Sequence, residues 1–406
     1  MSHYLLCMLW VTATILQRGG FVKRGPPQAA ELRIENEQLR IRTIGSQFSI
    51  LNCSFSIDSG GSFGYAACRY FHNWRRLLRR RPRLKVVMNQ LPIPAALLAD
   101  LLVVDQIVVD RVQPRLAVIK VASQHILTAG GKRIRAALTL LSAQLGRYDL
   151  DRVVHSAAAV ELIHAASLVH DDLVDEAARR RGAVTVHTRW DGDVALMVGD
   201  YLFALAAAEM ALAPDPRIIA YFSHGVMTIC EGELSPVMDA APLEMAIEQY
   251  LYKIGCKTAA LFEAACKAGM VCGGGAQSEV DALGRFGYQL GLAFQIVDDV
   301  LDYTADAATL GKPAGNDLRE GTITLPLIYA VAAGADGLIE LLDARPIDEA
   351  RIAWAIDEVR RLGALRAMDD ARAALDRALA HLDAFPDSPA KHALGEIARF
   401  VVTRGM

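Results

Sequence analysis

Two stretches of this 406-residue chain decide its fold and its chemistry. Residues 161–175 read ELIHAASLVHDDLVD, and residues 290–302 read LGLAFQIVDDVLD. Each ends in an Asp-Asp pair with a further Asp three residues later, and apolar residues surround the acidic ones at helical spacing. Because residues one turn apart share a helix face, each stretch predicts a helix that carries a row of carboxylates.

These two acidic rows predict a metal site. The first row consists of Asp171 and Asp175 with His164 upstream; the second consists of Gln295, Asp299 and Asp302, with Asp298 at its margin. Burying several carboxylates without compensation costs on the order of several kcal/mol each, so we expect a cation to accompany them. Ligand sets made only of oxygen favour Mg²⁺, which binds a few carboxylates together with substrate phosphates. The rows therefore predict magnesium ions that hold a polyphosphate between two helices.

The rest of the chain predicts an all-α fold. Helical periodicity runs from Pro92 onward, and hydrophobic residues make up 53% of the chain, which excludes disorder as its bulk. We expect a single large bundle of ten or more helices around a central cavity. The seven cysteines form no CxxC pair, which argues against a disulfide framework or a structural zinc site and favours the cytoplasm.

The amino-terminal segment has a different composition. Residues 1–87 carry 14 Lys and Arg against 4 Asp and Glu, whereas residues 88–406 carry 29 against 42. We interpret residues 1–87 as a disordered basic extension, with Met88 as an alternative translation start, and residues 88–406 as the helical domain. A functional arm for nucleic acid or a membrane is the less favoured interpretation. The uncharged run at residues 4–17 is shorter than a membrane helix needs, so we expect no transmembrane segment.

Basic residues follow a pattern that fits a phosphate site. Residues 130–135, GGKRIR, place two cations on one face at a predicted helix start, where unpaired N–H groups favour anions. Further donors are Arg179, Arg180 and Arg181 after the first acidic row, then Lys257, Thr258 and Lys312. Any one of these alone is most simply a solvated surface group. Their occurrence together with both acidic rows favours a diphosphate-binding role.

Five segments in this order resemble the trans-polyprenyl diphosphate synthases, which elongate isoprenoid chains. The segments are GGKRIRAAL, ELIHAASLVHDDLVDEAARRRG, KTAALF, FQIVDDVLDY and GKPAGNDLREGTITLPLIYA. The resemblance covers about residues 95 to 400 and implies the isoprenoid synthase type of helical bundle. It also implies a homodimer. One acidic motif alone would be a weak signal for this family. Two acidic motifs that stand in the expected order with the other three segments are a specific signal.

The resemblance implies roles for individual residues. It implies two or three Mg²⁺ ions, whose ligands are Asp171, Asp175, Asp298, Asp299 and Asp302. The allylic diphosphate would be bound by Arg180, Lys257, Thr258, Gln295 and Lys312, and the isopentenyl diphosphate by Lys132, Arg135, His164 and Arg181. The catalytic set would be Asp171, Asp175, Lys257, Asp298 and Asp299. Two positions depart from the pattern, because Asn316 stands where many relatives carry Asp and Thr322 where many carry Lys.

The implied activity is a magnesium-dependent prenyl transfer. Isopentenyl diphosphate would condense with farnesyl or geranylgeranyl diphosphate, after ionisation of the allylic diphosphate and without a protein nucleophile. Small residues at Ala166 and Ser167, just before the first acidic row, leave room for a long chain. We therefore expect an all-trans product in the hexaprenyl to decaprenyl range, used for a quinone side chain. Ala204, Ala207 and Ala208 on a later helix are candidates for extending that space, although a run of alanines in a helix more often indicates close packing.

Other functions fit part of the pattern. A short-chain farnesyl or geranylgeranyl synthase would share every motif except the small residues Ala166 and Ser167 before the first acidic row. A class I terpene cyclase would share the ionisation step but would not need Lys132, Arg135 and His164. A non-catalytic partner subunit typically loses its acidic motifs, whereas this chain keeps both. A metal phosphohydrolase, suggested by His170 and Asp171, would need further dispersed His ligands.

Overall fold

A computed structural model describes residues 31–35, 38–43, 46–50, 92–180, 182–305, 314–335, 337–343 and 349–404. The chain divides into two compact units, Met1–Arg80 and Arg81–Met406. In the first unit three strands form an antiparallel sheet in the order β1-β2-β3: β1 (Glu31–Glu35), β2 (Gln38–Thr43) and β3 (Ser46–Ile50). The interpretation of residues 1–87 as an extension did not anticipate these strands, and the division at residue 88 stays a prediction.

The second unit is helical, apart from a short hairpin of β4 (Arg179–Arg180) and β5 (Ala183–Val184). Its first helices are α1 (Ala95–Asp110), α2 (Ala117–Thr128), α3 (Ile134–Gln144), α4 (Leu150–Val174), α5 (Val186–Arg189), α6 (Gly192–Met210), α7 (Arg217–Glu233) and α8 (Leu243–Ile254). A π-helical turn (Gly255–Ala259) follows and leads into α9 (Ala260–Cys272) and α10 (Gln277–Thr304). The remaining helices are α11 (Asn316–Glu320), α12 (Leu325–Ala332), α13 (Gly337–Asp343), α14 (Glu349–Leu362), α15 (Ala364–His381) and, after a 3-10 turn (Leu382–Ala384), α16 (Pro389–Thr403). The prediction of an all-α bundle of ten or more helices is confirmed.

The two helices that carry the acidic rows, α4 and α10, lie in the core. The start of α4 is fixed by Asp149, whose carboxylate accepts a hydrogen bond from the backbone N–H of Asp151 at 3.1 Å. Helix α4 packs mainly against α6, and α10 packs against α9 and α15. Buried residues occupy most faces of α4, as expected for a helix surrounded by others.

Glycines let α9 and the π turn approach α10 closely. A Cβ atom added at Gly291 would lie 2.5 Å from the Cα of Ala259, and one at Gly287 would lie 2.6 Å from the carbonyl oxygen of Phe262. Neither contact leaves room for a side chain. The consequence for function is that the π turn lies directly against the part of α10 that precedes the second acidic row.

Within the part of the chain that the structure describes, one helix is long and apolar enough to cross a membrane by length and composition. It is Leu150–Val174, and 72% of its most apolar window is buried inside the protein. This helix is α4, the central helix of the bundle, and its interior position accounts for its apolar composition.

Candidate active site

The first acidic row lies at the carboxyl end of α4. Helix α4 ends at Val174, and Asp175 continues it by one residue, since its N–H donates to the carbonyl oxygen of Asp171 at 2.8 Å. The side chain of Asp171 is 15% exposed, whereas Asp175 is exposed. The two carboxylates therefore lie one turn apart, as predicted, with Asp171 on the inner side.

Two residues from other elements surround Asp171. Lys257, in the π turn, places its Nζ 4.0 Å from Asp171 Oδ2 and 2.5 Å from Glu233 Oε1. Glu233 is the last residue of α7 and was not among the predicted site residues. A single Glu at a helix end carries no motif, so its place beside Lys257 depends on the packing of α7 against the π turn.

The second acidic row centres on Asp299, which is buried in α10. Tyr250 donates its hydroxyl to Asp299 Oδ2 at 2.7 Å, and Gln295 donates its Nε2 to Asp299 Oδ1 at 2.8 Å. The Gln295 carbonyl oxygen in turn accepts a hydrogen bond from Thr258 Oγ1 at 2.7 Å. The predicted group of Thr258, Gln295 and Asp299 thus forms one connected chain of hydrogen bonds. Tyr250, which holds the far side of Asp299, was not predicted.

The π turn brings the two rows together. Its consecutive residues Lys257 and Thr258 reach Asp171 and Gln295 respectively, and consecutive Cα atoms are only about 3.8 Å apart. Single π-helical turns inside α-helices are frequently found at functional sites. Among the residues that the structure describes, no three acidic, His or Cys side chains form a ready metal cluster. Both acidic rows therefore face the π turn, but they remain two separate sets of carboxylates.

Asp298 and Asp302 differ from Asp299 in their surroundings. Asp298 Oδ1 lies 2.5 Å from Nη2 of Arg404, which follows α16 and was not predicted. Asp302 is 1% exposed, and its Oδ2 accepts a hydrogen bond from the backbone N–H of Asp317 at 3.0 Å. One oxygen of Asp302 thus fixes the start of α11, so its predicted role as a metal ligand depends on the other oxygen.

The two cations of the GGKRIR segment lie over aromatic rings. Lys132 Nζ is 5.0 Å from the centre of the Phe400 ring. The guanidinium of Arg135 lies 4.7 Å from the centre of Phe262. Cations over ring faces gain electrostatic attraction and keep a defined direction.

The same aromatic group reaches the second acidic row. The ring of Phe262 is 5.4 Å from that of Phe294, over which the Arg404 guanidinium lies at 3.9 Å. Arg135 and Arg404 thus lie over neighbouring rings, and Lys132, over Phe400, is close enough to Arg404 and Asp298 for their charges to act on it. We call these three phenylalanine rings the aromatic floor. Arg404 is a functional candidate that sequence reasoning missed because it stands alone near the end of the chain.

The remaining predicted residues divide into three groups. Arg180 Nε lies 2.5 Å from Oδ1 of Asp172, a buried carboxylate next to Asp171 that the sequence analysis did not select. His164 is half-buried on α4, one turn before Leu168. Arg181 and Lys312 lie outside the described residues.

The two positions that depart from the family pattern lie at α11. Asn316 donates its Nδ2 to Glu320 Oε1 at 2.6 Å, which is a contact within that helix. Thr322 donates its backbone N–H to the Asp317 carbonyl oxygen at 2.7 Å. Both residues thus support the turn around α11.

Burial raises the pKa of both central carboxylates. It brings the pKa of Asp171 to about 6, although Lys257 opposes the shift, and that of Asp299 to about 7, although the hydrogen bonds from Tyr250 and Gln295 oppose it. Burial lowers the pKa of Lys257, but Asp171 and Glu233 outweigh this effect and the net shift is upward. The pKa of Lys132 is lowered by burial and by nearby Arg404. Asp171 and Asp299 therefore need further positive charge to ionise fully.

This donor set fits magnesium. Each central carboxylate is held in a position where burial penalises its negative charge, and all the available ligand atoms are oxygens. Lys257 supplies positive charge beside the first row, and Lys132 is close enough to Arg404 and Asp298 for their charges to act on it. Such an arrangement can bind a cation together with a phosphorylated ligand.

The three alanines considered for the chain-binding space lie on the surface of the single chain. Ala204, Ala207 and Ala208 are exposed on α6, so they do not line its interior. They lie on the side of α6 that points away from α4, because Ala195, Val198 and Leu202 form its buried face. Ala166, in contrast, is fully buried in α4, and Ser167 is half-buried beside it.

Comparison with known proteins identifies the family. A family model described as polyprenyl synthetase matches residues 117–359. The heptaprenyl diphosphate synthase component 2 of Geobacillus stearothermophilus is 38% identical over 75% of this chain and 96% of its own length. The short chain isoprenyl diphosphate synthase of Methanothermobacter thermautotrophicus is 39% identical over 70% of this chain and 89% of its own length.

A solved structure agrees with these relatives. The polyprenyl synthase of Caulobacter crescentus, described as complexed with calcium and isoprenyl diphosphate, aligns with a TM-score of 0.72 and 37% identity. The alignment covers 82% of this chain and 98% of that one. The helical fold of this chain therefore agrees with that of a solved polyprenyl synthase.

The raised pKa values predict how stability depends on pH in the absence of divalent ions. The folded state holds protons on Asp171 and Asp299 at pH values where the unfolded state, with a pKa of 3.8, has released them. Their contribution to the free energy of unfolding is thus largest at low pH and is lost as the pH rises through about 6 to 7. Asp299→Asn removes this titration, so its stability relative to wild type should increase between about pH 5 and pH 8.

Urea unfolding in the presence of a chelator across this pH range measures the difference. Asp383→Asn, which removes an exposed carboxylate of the 3-10 turn, is the control and should show a constant difference from wild type. A constant difference for Asp299→Asn as well would contradict the burial argument.

Proposed function

The chain belongs to the polyprenyl synthetase family and is a prenyltransferase, and from this premise we propose that it condenses isopentenyl diphosphate with farnesyl or geranylgeranyl diphosphate in a magnesium-dependent reaction. The product we propose is a long all-trans polyprenyl diphosphate that supplies a quinone side chain. The observation that carries the proposal is the convergence of both acidic rows on the π turn through Lys257 and Thr258.

The proposed magnesium ligands come from both rows. They are Asp171, Asp175, Asp298 and Asp299, with Asp302 contributing through the oxygen that does not face Asp317. Bound magnesium would stabilise the negative charge that develops on the departing diphosphate, and two or three ions are expected. The calcium and isoprenyl diphosphate named for the Caulobacter crescentus structure support a site for a divalent ion and a diphosphate in this family.

The allylic diphosphate is proposed to lie beside the π turn. Lys257 directs its ammonium group toward the first row, and Thr258 and Gln295 fix the second row by hydrogen bonds. Arg180, held by Asp172, adds a cation next to the first row, and Lys312 is proposed from sequence. These groups keep the diphosphate in place while the bond to the allylic carbon breaks, so positive charge develops on the carbon and negative charge on the diphosphate.

The isopentenyl diphosphate is proposed to bind on the aromatic floor. Lys132 and Arg135 are the first contacts, and Arg404 is added to them because it shares the same floor. His164 and Arg181 complete the set predicted from sequence. The double bond of this substrate then attacks the allylic cation, and the proton released goes to the departed diphosphate, so that no side-chain nucleophile is required.

Replacing Asp171 tests this function. Asp171→Ala should lower the rate of condensation of isopentenyl diphosphate with farnesyl diphosphate at saturating magnesium by at least about a hundredfold, because a row loses its inner carboxylate. Asp383→Ala should leave the rate unchanged. The rate is measured with radiolabelled isopentenyl diphosphate, and unchanged turnover of Asp171→Ala would contradict the proposed metal site.

The same assay separates the alternatives. A terpene cyclase would release a hydrocarbon from the allylic substrate alone, and a non-catalytic subunit would give no product without another chain. The heptaprenyl relative is named component 2, which makes a second subunit a specific alternative. The retention of both acidic rows favours a catalytic role for this chain.

Product length is proposed to depend on the turn before Asp171. Relatives of similar identity are named as a heptaprenyl synthase component and as a short chain synthase, so overall identity does not decide the length. The small side chains of Ala166 and Ser167 favour the long product, because a bulky residue there would meet the growing chain one turn below Asp171.

Enlarging this position should shorten the product. Ala166→Phe is expected to move the main product to a chain several isoprene units shorter, measured by chromatography of the dephosphorylated products. Because a large residue in a buried site costs about 1–3 kcal/mol, thermal unfolding of the variant is measured alongside. Ala165→Phe places the same bulk on the adjacent face of α4 and should leave the product length as in wild type. An unchanged profile for Ala166→Phe would show that the chain grows elsewhere.

A homodimer is proposed from an exposed apolar face on α6 and α7. On α6 it includes Leu196 and Met197, which are 44% and 50% exposed, followed by Ala204, Ala207 and Ala208. On α7 it includes Ile219 and Met227, which are 41% and 57% exposed. Exposed apolar residues on two neighbouring helices favour an interaction site, and the small alanines allow close packing of helices from a second copy.

Disrupting this face should change the oligomeric state. Met227→Glu is expected to convert a dimer to a monomer, because it would bury a charge between two copies. Leu365→Glu, at an even more exposed leucine of α15, should keep the wild-type mass. Light scattering after size exclusion gives the mass, and a wild-type monomer would contradict the proposal and direct attention to a different partner subunit.

The buried, unpaired thiols of Cys256, Cys266 and Cys272 support a reducing compartment, for which we propose the cytoplasm.

A further inference from the structure

A buried arginine lies between the two cations of the GGKRIR segment. Arg133 is 8% exposed and adopts left-handed backbone angles, with φ 53° and ψ 35°. Residues other than glycine adopt this conformation at an energetic cost, and it persists only where the surroundings fix it. The sequence pattern did not single out Arg133, because Lys132 and Arg135 share the helix face on which the phosphate site is predicted.

Three elements fix Arg133. Its Nη2 donates to Asp105 Oδ1 of α1 at 2.7 Å and to the Leu127 carbonyl oxygen of α2 at 3.0 Å. Its Nη1 donates to Glu161 Oε2 of α4 at 3.2 Å. Two buried carboxylates thus hold one buried cation from two sides, and removal of Arg133 would leave both carboxylates buried without it.

Glu161 also fixes the start of α3. Its Oε1 accepts a hydrogen bond from the backbone N–H of Ala136 at 3.1 Å, which is one of the donors that a helix start leaves without an intrahelical partner. Glu161 lies one turn before His164 on α4. A single carboxylate therefore connects the turn that carries Lys132 and Arg135 with the helix that carries His164.

The turn at Arg133 determines where its neighbours point. Lys132 precedes it and lies over Phe400, whereas Arg135 follows it and lies over Phe262. If Arg133 relaxed to right-handed angles, the backbone direction between these two residues would change. Lys132 and Arg135 could then not both stay over their phenylalanine rings. The ion pairs of Arg133 thus hold the relative placement of two cations without touching the ligand.

We propose that Asp105, Arg133 and Glu161 are positioning residues that preset Lys132, Arg135 and His164 for the isopentenyl diphosphate. This inference rests on the proposed function, since it assigns a specific task within that reaction. The three residues act through the backbone turn and the start of α3. The allylic diphosphate, which is proposed to lie beside the π turn, does not depend on them.

The test compares the two substrates in one variant. Glu161→Gln keeps an acceptor for Ala136 but turns an amide donor toward the Arg133 guanidinium, so the ion pair is lost at nearly constant volume. We expect its KM for isopentenyl diphosphate to rise by at least about tenfold, with the KM for farnesyl diphosphate changed by less than about twofold. Asp105→Asn should show the same selectivity, and it serves as the test if Glu161→Gln does not fold.

A matched control comes from another buried carboxylate between helices. Glu209 of α6 is 1% exposed and lies 2.5 Å from Arg111 Nε and 2.7 Å from His155 Nδ1 of α4. Glu209→Gln breaks an ion cluster of similar size that also holds α4, yet it has no contact with the GGKRIR segment. It should lower the melting temperature without a selective change in either KM.

The outcomes separate the inference from the function on which it rests. Equal changes of both KM values in Glu161→Gln, or the same selective rise in Glu209→Gln, would overturn the positioning role while leaving the condensation intact. A wild-type chain that performs no condensation would instead overturn the proposed function, and the inference with it.

Discussion

The structure depends on two carboxylates that are held where their charge is unfavourable. Asp171 and Asp299 lie inside the helical bundle, and burial raises the pKa of each well above that of a solvated Asp. The neighbouring groups reduce this penalty only in part, through Lys257 on one side and Tyr250 with Gln295 on the other. A site that retains such a penalty is suited to a ligand that brings its own positive charge.

The fold supplies the short distances that this site requires. Gly287 and Gly291 let α10 approach α9 and the π turn until backbone atoms are in contact. The π turn can then direct one residue to each acidic row, because Lys257 and Thr258 are consecutive. The phenylalanines at positions 262, 294 and 400 hold Arg135 of α3, Lys132 just before it and Arg404 near the end of the chain. The second acidic row and the ring of Phe294 thus belong to the same helix, α10.

The sequence predicted the parts of this arrangement that repeat at helical spacing. The helical class, the two acidic rows and the group of Thr258, Gln295 and Asp299 all follow from periodicity or from the family resemblance. Glu233, Tyr250 and Arg404 could not be predicted, because each stands alone in the sequence and reaches the site only through packing of distant helices. The place of Ala204 could not be predicted for a related reason, since a run of alanines does not show which side of a helix is covered.

The central claim is that both rows bind one cation–diphosphate unit. Calorimetric titration of inorganic pyrophosphate in the presence of magnesium, with wild type, Asp171→Asn and Asp299→Asn, tests it most directly. If the rows share one ligand, wild type should bind one pyrophosphate per chain, and either single variant should weaken that one binding event. A wild type that binds two pyrophosphates, of which each single variant loses only one, would show two independent sites and would contradict the account.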